Sequence, residues 1–231
     1  MNRSPWISVE LGFRHTLSFT QTRFWVVLLG VSSVWAILMS HVARDASPTE
    51  ATTAALVGPI FGIAVPIALF IYCRHVEQEG LREAAITASA LGMSRPAFAL
   101  GATLALVASA IGLSIVLGLL PLMLNRGVAD FASLADLGTT VWVVSLGAAA
   151  YVCCFAALGA SGSWVQGFAF LLLDWGFGSK AGLSALVWPR AHLASLLGAA
   201  TALPASAGTS VLMLWALVIV STALLIFRLS R

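Results

Sequence analysis

Apolar runs of roughly membrane-spanning length follow one another from residue 24 to residue 227, and one long polar stretch, Arg74 to Pro96, interrupts them. A chain written this way has little choice but to be an all-α polytopic membrane protein. The interruption reads as a short amphipathic helix: Leu81, Ala84, Ala85, Ala88 and Leu91 recur at helical spacing, and Glu79, Arg82, Glu83 and Ser89 fall on other faces. Acid at its start (Glu77, Glu79, Glu83) suits the positive end of a helix dipole, Gly92 supplies a stop, and Pro96 opens the next span. Such a helix between two spans either lies on lipid headgroups or is gripped by another protein.

Composition leaves no room for a soluble domain. Hydrophobic residues make up 60% of the chain and charged ones 9%, far from a soluble balance. At about 20 residues per span, 231 residues hold five to seven spans. The three cysteines, with Cys153 and Cys154 adjacent in an apolar run, give neither a disulfide framework nor a metal spacing. Polar residues at positions 14 to 23 precede a full-length span, which argues against a cleavable signal peptide.

Taken in order, residues 5–20 predict an interfacial helix, with Trp6, Val9, Phe13 and Leu17 on one face and Glu10 and Arg14 paired on another. Six spans follow, over 24–43, 53–73, 98–124, 139–160, 164–182 and 209–227, with the polar helix at 77–92 between the second and third. The second span contains Gly58, Pro59, Gly62 and Pro66, which predicts a kinked helix facing protein, where its freed carbonyls are satisfied. The third carries small residues suited to close packing, Gly101, Ala105 and Gly112 among them. Residues 183–207 are apolar yet broken by Pro189, Arg190, His192 and Pro204, and fit two short re-entrant helices. With the N-terminus inside, Arg3, Arg14, Arg23, Arg74, Arg82, Arg95, Arg228 and Arg231 face the cytoplasm. Arg44, Arg126, Lys180 and Arg190 face outward, and this imbalance puts both termini and the polar helix in the cytoplasm.

This layout resembles the membrane subunit of ABC transporters of the ABC-2 exporter class. The residues that carry the resemblance are Glu77-Gln78-Glu79-Gly80-Leu81-Arg82-Glu83 with Gly92-Met93-Ser94-Arg95, similar to that family's coupling helix. Leu186-Val187-Trp188-Pro189 followed by His192 is similar to its re-entrant segment, whereas Ala88-Ser89-Ala90 stands where the family often has a proline. The resemblance implies a permease in the bacterial cytoplasmic membrane, exporting its cargo. It would pair with a second copy or a homologous permease and be driven by a separate ABC ATPase that holds the ATP and magnesium. It also implies that Glu79, Gly80, Glu83 and Arg95 dock that ATPase. The residues agree: no phosphate-cradling glycine loop occurs, since Gly178-Ser179-Lys180 lacks the spacing, so the chain itself carries neither cofactor nor ATP site. Nothing points to nucleic acid.

Three other sites draw attention. Asp174 is the one acid set within a hydrophobic segment, which predicts pairing with Lys180 or Arg190, or a place on a substrate path. With no other charged lining, a hydrophobic or amphipathic cargo is favoured. Gly159-Ala160-Ser161-Gly162 followed by His192 resembles the serine and histidine of rhomboid-type intramembrane proteases. Against that, 31 residues separate Ser161 from His192, where a rhomboid's intervening spans need roughly 45; a tight turn is the simpler role for Ser161. No second histidine or cysteine stands at metal spacing near His192. A third reading is a membrane subunit that transmits force from an ATPase without transporting.

Overall fold

The computed structural model describes residues 5–18, 34, 60–78, 80–126, 131–160, 163–178, 182–198 and 205–230, without the side chains of 60, 118–126 and 131–137. The expected span 24–43 apart from residue 34, the start of the span 53–73, and Glu79, Ser161 and Lys180 lie outside them. Among the described residues there are helices and no strands. We number the α-helices α1 (Pro5–Ser18), α2 (Val65–Gln78), α3 (Leu81–Ala90), α4 (Arg95–Arg126), α5 (Phe131–Gly159), α6 (Trp164–Phe177), α7 (Pro189–Leu196) and α8 (Ala207–Ser230). A π-turn, Ile60–Ala64, leads into α2, and a 3₁₀ turn, Leu183–Val187, precedes α7.

Three stretches, Arg95–Leu117, Gly138–Gly159 and Ala207–Ser230, are long and apolar enough to cross a membrane, and the chain is an integral membrane protein. They differ in surroundings: 72% of the α5 stretch is enclosed by protein against 22% of the α8 stretch, so α5 is the central post. Around it, Leu69 and Tyr72 of α2, Leu106 and Leu113 of α4, Val144 and Tyr151 of α5 and Leu214 of α8 form the main core. At the end of the bundle where α2 passes into α3, a second core joins Leu81, Ala85 and Ala88 to Phe98, Ala99 and Ala102 of α4, Ala157 of α5, and Leu225 and Leu229 of α8.

Local chemistry explains the irregular elements. In an α-helix the Gly62 carbonyl would take its hydrogen bond from residue 66, which here is proline and has no amide, and the π-turn Ile60–Ala64 stands just where that bond is missing. Along α2 the side chains of Val65, Leu69, Tyr72 and Val76 are buried in protein. The helix that starts after Ser163 runs to Phe177, and the Gly178 amide on the Asp174 carbonyl at 2.8 Å closes its last turn; residues 179–181 of the expected span 164–182 lie outside the described ones. Fourteen residues reach only about 21 Å, less than the roughly 30 Å of a bilayer's hydrocarbon.

The first helix runs 5–18, and its contact face differs from the apolar one that spacing suggests. Trp6 is 78% exposed, while Ser8, Gly12 and Thr16, four residues apart, are buried. A Cβ on Gly12 would overlap the Phe98 carbonyl, and one on Gly101 the Val9 carbonyl, so the backbones of α1 and α4 touch. The Ser94 amide donates to Ser8 Oγ at 3.2 Å beside this crossing. Small residues permit the approach, and packing between backbones holds it.

Candidate functional site

The polar segment folds as two pieces. Glu77 and Gln78 complete α2, the chain turns at Gly80 (φ 88°), and α3 runs from Leu81. The Gly80 amide bonds the Glu77 carbonyl at 3.0 Å, and the Gly80 carbonyl accepts from Ala84 at 2.9 Å. At the other end Gly92 (φ 76°) donates to the Ser89 carbonyl and Met93 to that of Ala88, both at 3.0 Å. This is the paired closure of a helix by a left-handed glycine, and it places the stop at the glycine that the sequence offers.

One face of α3 is committed to the bundle through Leu81, Ala85 and Ala88. The opposite face shows Arg82, Glu83, Ile86 and Thr87 to the outside, followed by Leu91; Ile86 is 47% and Leu91 56% exposed. The exposed isoleucine is a residue that sequence reasoning passed over, although three- and four-residue steps from Arg82 and Glu83 reach it. Of the residues expected to dock a partner, Gly80 and Glu83 sit at the start of α3. Arg95 opens α4 and is half-buried, about one α3 length away, roughly 15 Å.

Under α3 lies a cavity of about 520 Å³ between α2, α3, α4, α5, α6 and α8. Arg74 closes one side, its guanidinium 5.2 Å from the centre of the Trp164 ring. Glu77 packs against Gly159, where a Cβ would meet its carboxylate. Arg228 of α8 donates to the carbonyls of Ala157 and Leu158 at 2.6 and 3.3 Å, a cation on the carbonyl end of α5.

The far end of the bundle, around Trp188, is built differently. Asp174, 1% exposed, accepts from the Tyr151 hydroxyl at 2.6 Å and from the Arg190 amide at 3.1 Å. Its carboxylate thereby joins α6 to α5 and caps the start of α7, where Pro189 has no amide to offer. The guanidinium of Arg190 is not what Asp174 bonds; it lies against Gly62 in the π-turn, 3.2 Å from where a Cβ would be. Among the described residues its Nη1 meets no hydrogen-bond partner. Tyr151 is one of two tyrosines in the chain; a buried phenol needs a partner for its hydroxyl, and that signal was available in the sequence.

His192 is fully buried in the same region. Its Nε2 lies 2.7 Å from the Leu186 carbonyl, which can only accept, so Nε2 donates there, and Nδ1 shares a hydrogen bond with Ser210 Oγ at 3.1 Å. Both ring nitrogens are therefore engaged, Nε2 by the 3₁₀ turn and Nδ1 by Ser210 of α8, while Ser161 lies outside the described residues. Among the described residues no group of histidine, cysteine, aspartate or glutamate is arranged to hold a metal ion. The cysteines are spent on packing: Cys154 Sγ meets Ser221 Oγ at 3.2 Å and Thr222 Oγ1 donates to Cys153 Sγ at 3.5 Å, both between α5 and α8. Compared with known protein families, with curated proteins and with solved structures, the chain matches none.

Proposed function

We propose that this chain is the permease subunit of an ATP-driven transporter of the ABC-2 exporter class, gripped through α3 by a separate ATPase. The observation that carries the reading is the two-sidedness of α3. Leu81, Ala85 and Ala88 fasten it to helices α4, α5 and α8, while Arg82, Glu83, Ile86 and Leu91 are offered outward. A helix so fastened can transmit a push to the spans, and an apolar patch with charged neighbours suits a groove on a soluble protein. Movement of α3 would then re-pack the helices around α5 and alter access through the membrane.

Topology supports the same reading. Leu11 and His15 of α1 lie beside Gly80, and Gly62 lies beside Arg190 at the opposite end. Together with the passages of α2, α4, α5 and α8, and with α6 as a shorter fifth passage, this suits six crossings, both termini and α3 on the cytoplasmic side, and α7 as a re-entrant helix on the outer side. The cargo is hydrophobic or amphipathic, and a second permease copy or a homologue completes the complex. The test is purification of the complex followed by ATP-dependent uptake in inverted vesicles. A soluble ATP-hydrolysing subunit should accompany the chain in fixed ratio, and Glu79→Lys with Glu83→Lys should reduce both its association and uptake. Full association and uptake in that double variant would overturn the assignment.

A further inference from the structure

The cavity under α3 has the make-up of a site for an amphiphile. Its volume, about 520 Å³, falls in the range of small-ligand sites. Its floor is apolar, from Leu81, Leu106, Ala156 and Leu229, and its rim carries two cations, Arg74 and Arg82, and two acids, Glu77 and Glu83. A crevice of only about 10 Å³ between α2 and α6, at Phe70, Phe155 and Gly167, shares Cys73, Arg74, Glu77 and Trp164 with it. Outside that crevice, Ile67 and Ile71 stand in line with Arg74 on α2, and Phe168 stands one turn from Trp164 on α6; all four apolar side chains are 40–47% exposed. An acyl chain laid along this crease brings its headgroup to Arg74, whose position over Trp164 orients the guanidinium without neutralising it.

We propose that this cavity binds the headgroup of a zwitterionic, amine-bearing phospholipid of phosphatidylethanolamine type, with its chains along the α2–α6 crease. The charge pattern selects that class. Among the described residues the mouth carries two cations and two acids, a pattern with no net attraction to an anionic lipid surface. The same pattern pairs a phosphodiester with Arg74 and Arg82 while Glu77 and Glu83 accept from a primary ammonium. A trimethylated amine offers no N–H to those acids, and a glycerol headgroup offers no cation. The inference requires only that the chain lies in a membrane, and holds whether or not it transports.

The experiment is native mass spectrometry of the full chain released from nanodiscs of equal phosphatidylethanolamine, phosphatidylcholine and phosphatidylglycerol. One phosphatidylethanolamine should remain bound, at least tenfold in preference to either competitor, and Arg74→Gln or Arg82→Gln should abolish that retention. Arg82 is exposed, so its variant keeps the test valid if the Arg74 change impairs folding. Glu77→Gln with Glu83→Gln should remove the preference over phosphatidylglycerol while phospholipid is still retained. Equal retention of the three lipids, or wild-type retention in Arg82→Gln, would overturn the proposal. So would displacement by equimolar soluble glycerophosphoethanolamine, because the ligand would then be a water-soluble headgroup compound and the crease idle.

Discussion

At the Gly80 end, Arg82, Glu83 and Thr87 stand on the outer face of α3, whereas at the Trp188 end Asp174, His192 and Ser210 are enclosed and bonded across helices. The helices at the first end are joined mainly by small and apolar contacts, at the Gly12–Gly101 crossing and through Ala85, Ala88, Ala99 and Ala102, with the Ser94–Ser8 and Arg228–Ala157 bonds beside them. Those at the second are joined by hydrogen bonds that run from α6 to α5 and α7, and from the 3₁₀ turn through His192 to α8. A polar group inside a membrane protein has no water to fall back on, so each buried bond fixes the helices it joins. Polar groups on α3 have water and are left over for recognition. Substitutions at the Trp188 end should therefore register as lost stability, and those on the outer face of α3 as lost association.

The sharpest break would come at Asp174. Asp174→Ala leaves the Tyr151 hydroxyl and the Arg190 amide without their acceptor, each worth about 1–3 kcal/mol. The expected loss of stability is roughly 2–5 kcal/mol, read as a lower unfolding midpoint in detergent, and Tyr151→Phe should cost about half as much. A wild-type midpoint in Asp174→Ala would mean the enclosed bonds do not hold that end.

Next comes the crossing of α1 and α4. A leucine at Gly101 would be driven into the Val9 carbonyl, and overpacking of this kind costs about 1–3 kcal/mol. Hydrogen exchange should quicken in α1 and leave α7 unchanged, which tests whether the two ends are held independently. Glu83→Lys should do the reverse, shifting stability by less than about 0.5 kcal/mol while weakening ATPase association at least tenfold, about 1.4 kcal/mol.

What the sequence disclosed follows from how local each feature is. The stop at Gly92 and the entry at Pro96 are backbone requirements written in single residues, and helices end and begin there. The break at Gly80, which gives Glu77 and Gln78 to α2 and divides the expected 77–92 helix, was not read. The docking face of α1 was harder to read, because hydrophobic periodicity cannot distinguish a face turned to lipid from one turned to protein when both surroundings are apolar. There the signal is the small-residue repeat Ser8, Gly12, Thr16. Asp174 stood out as an acid in an apolar run, with Arg190 named as a candidate partner, but the Tyr151 hydroxyl that it also accepts from is 23 positions away on another helix, and no spacing rule reaches that far. Nor does spacing show that Arg190 contributes its amide to Asp174 and its guanidinium to Gly62.

The smallest expected effect separates the two ends by pH. His15 lies on α1 beside the groove between α1 and α3, its ring 6.0 Å from that of Phe98. Burial there lowers its pKa from the ordinary value of 6.5, since desolvation disfavours the charged ring. The undocked helix thus takes up a proton at higher pH than the docked one. The contribution of His15 is complete above the ordinary value and is lost as the pH falls below it. Exchange protection in α1 should drop modestly between pH 7.5 and pH 5.5, and His15→Phe, which keeps a ring against Phe98, should remove the dependence. If protection in α1 kept the same slope in His15→Phe, the pH response would belong to other groups, and burial of His15 would not be part of what holds α1 to α4.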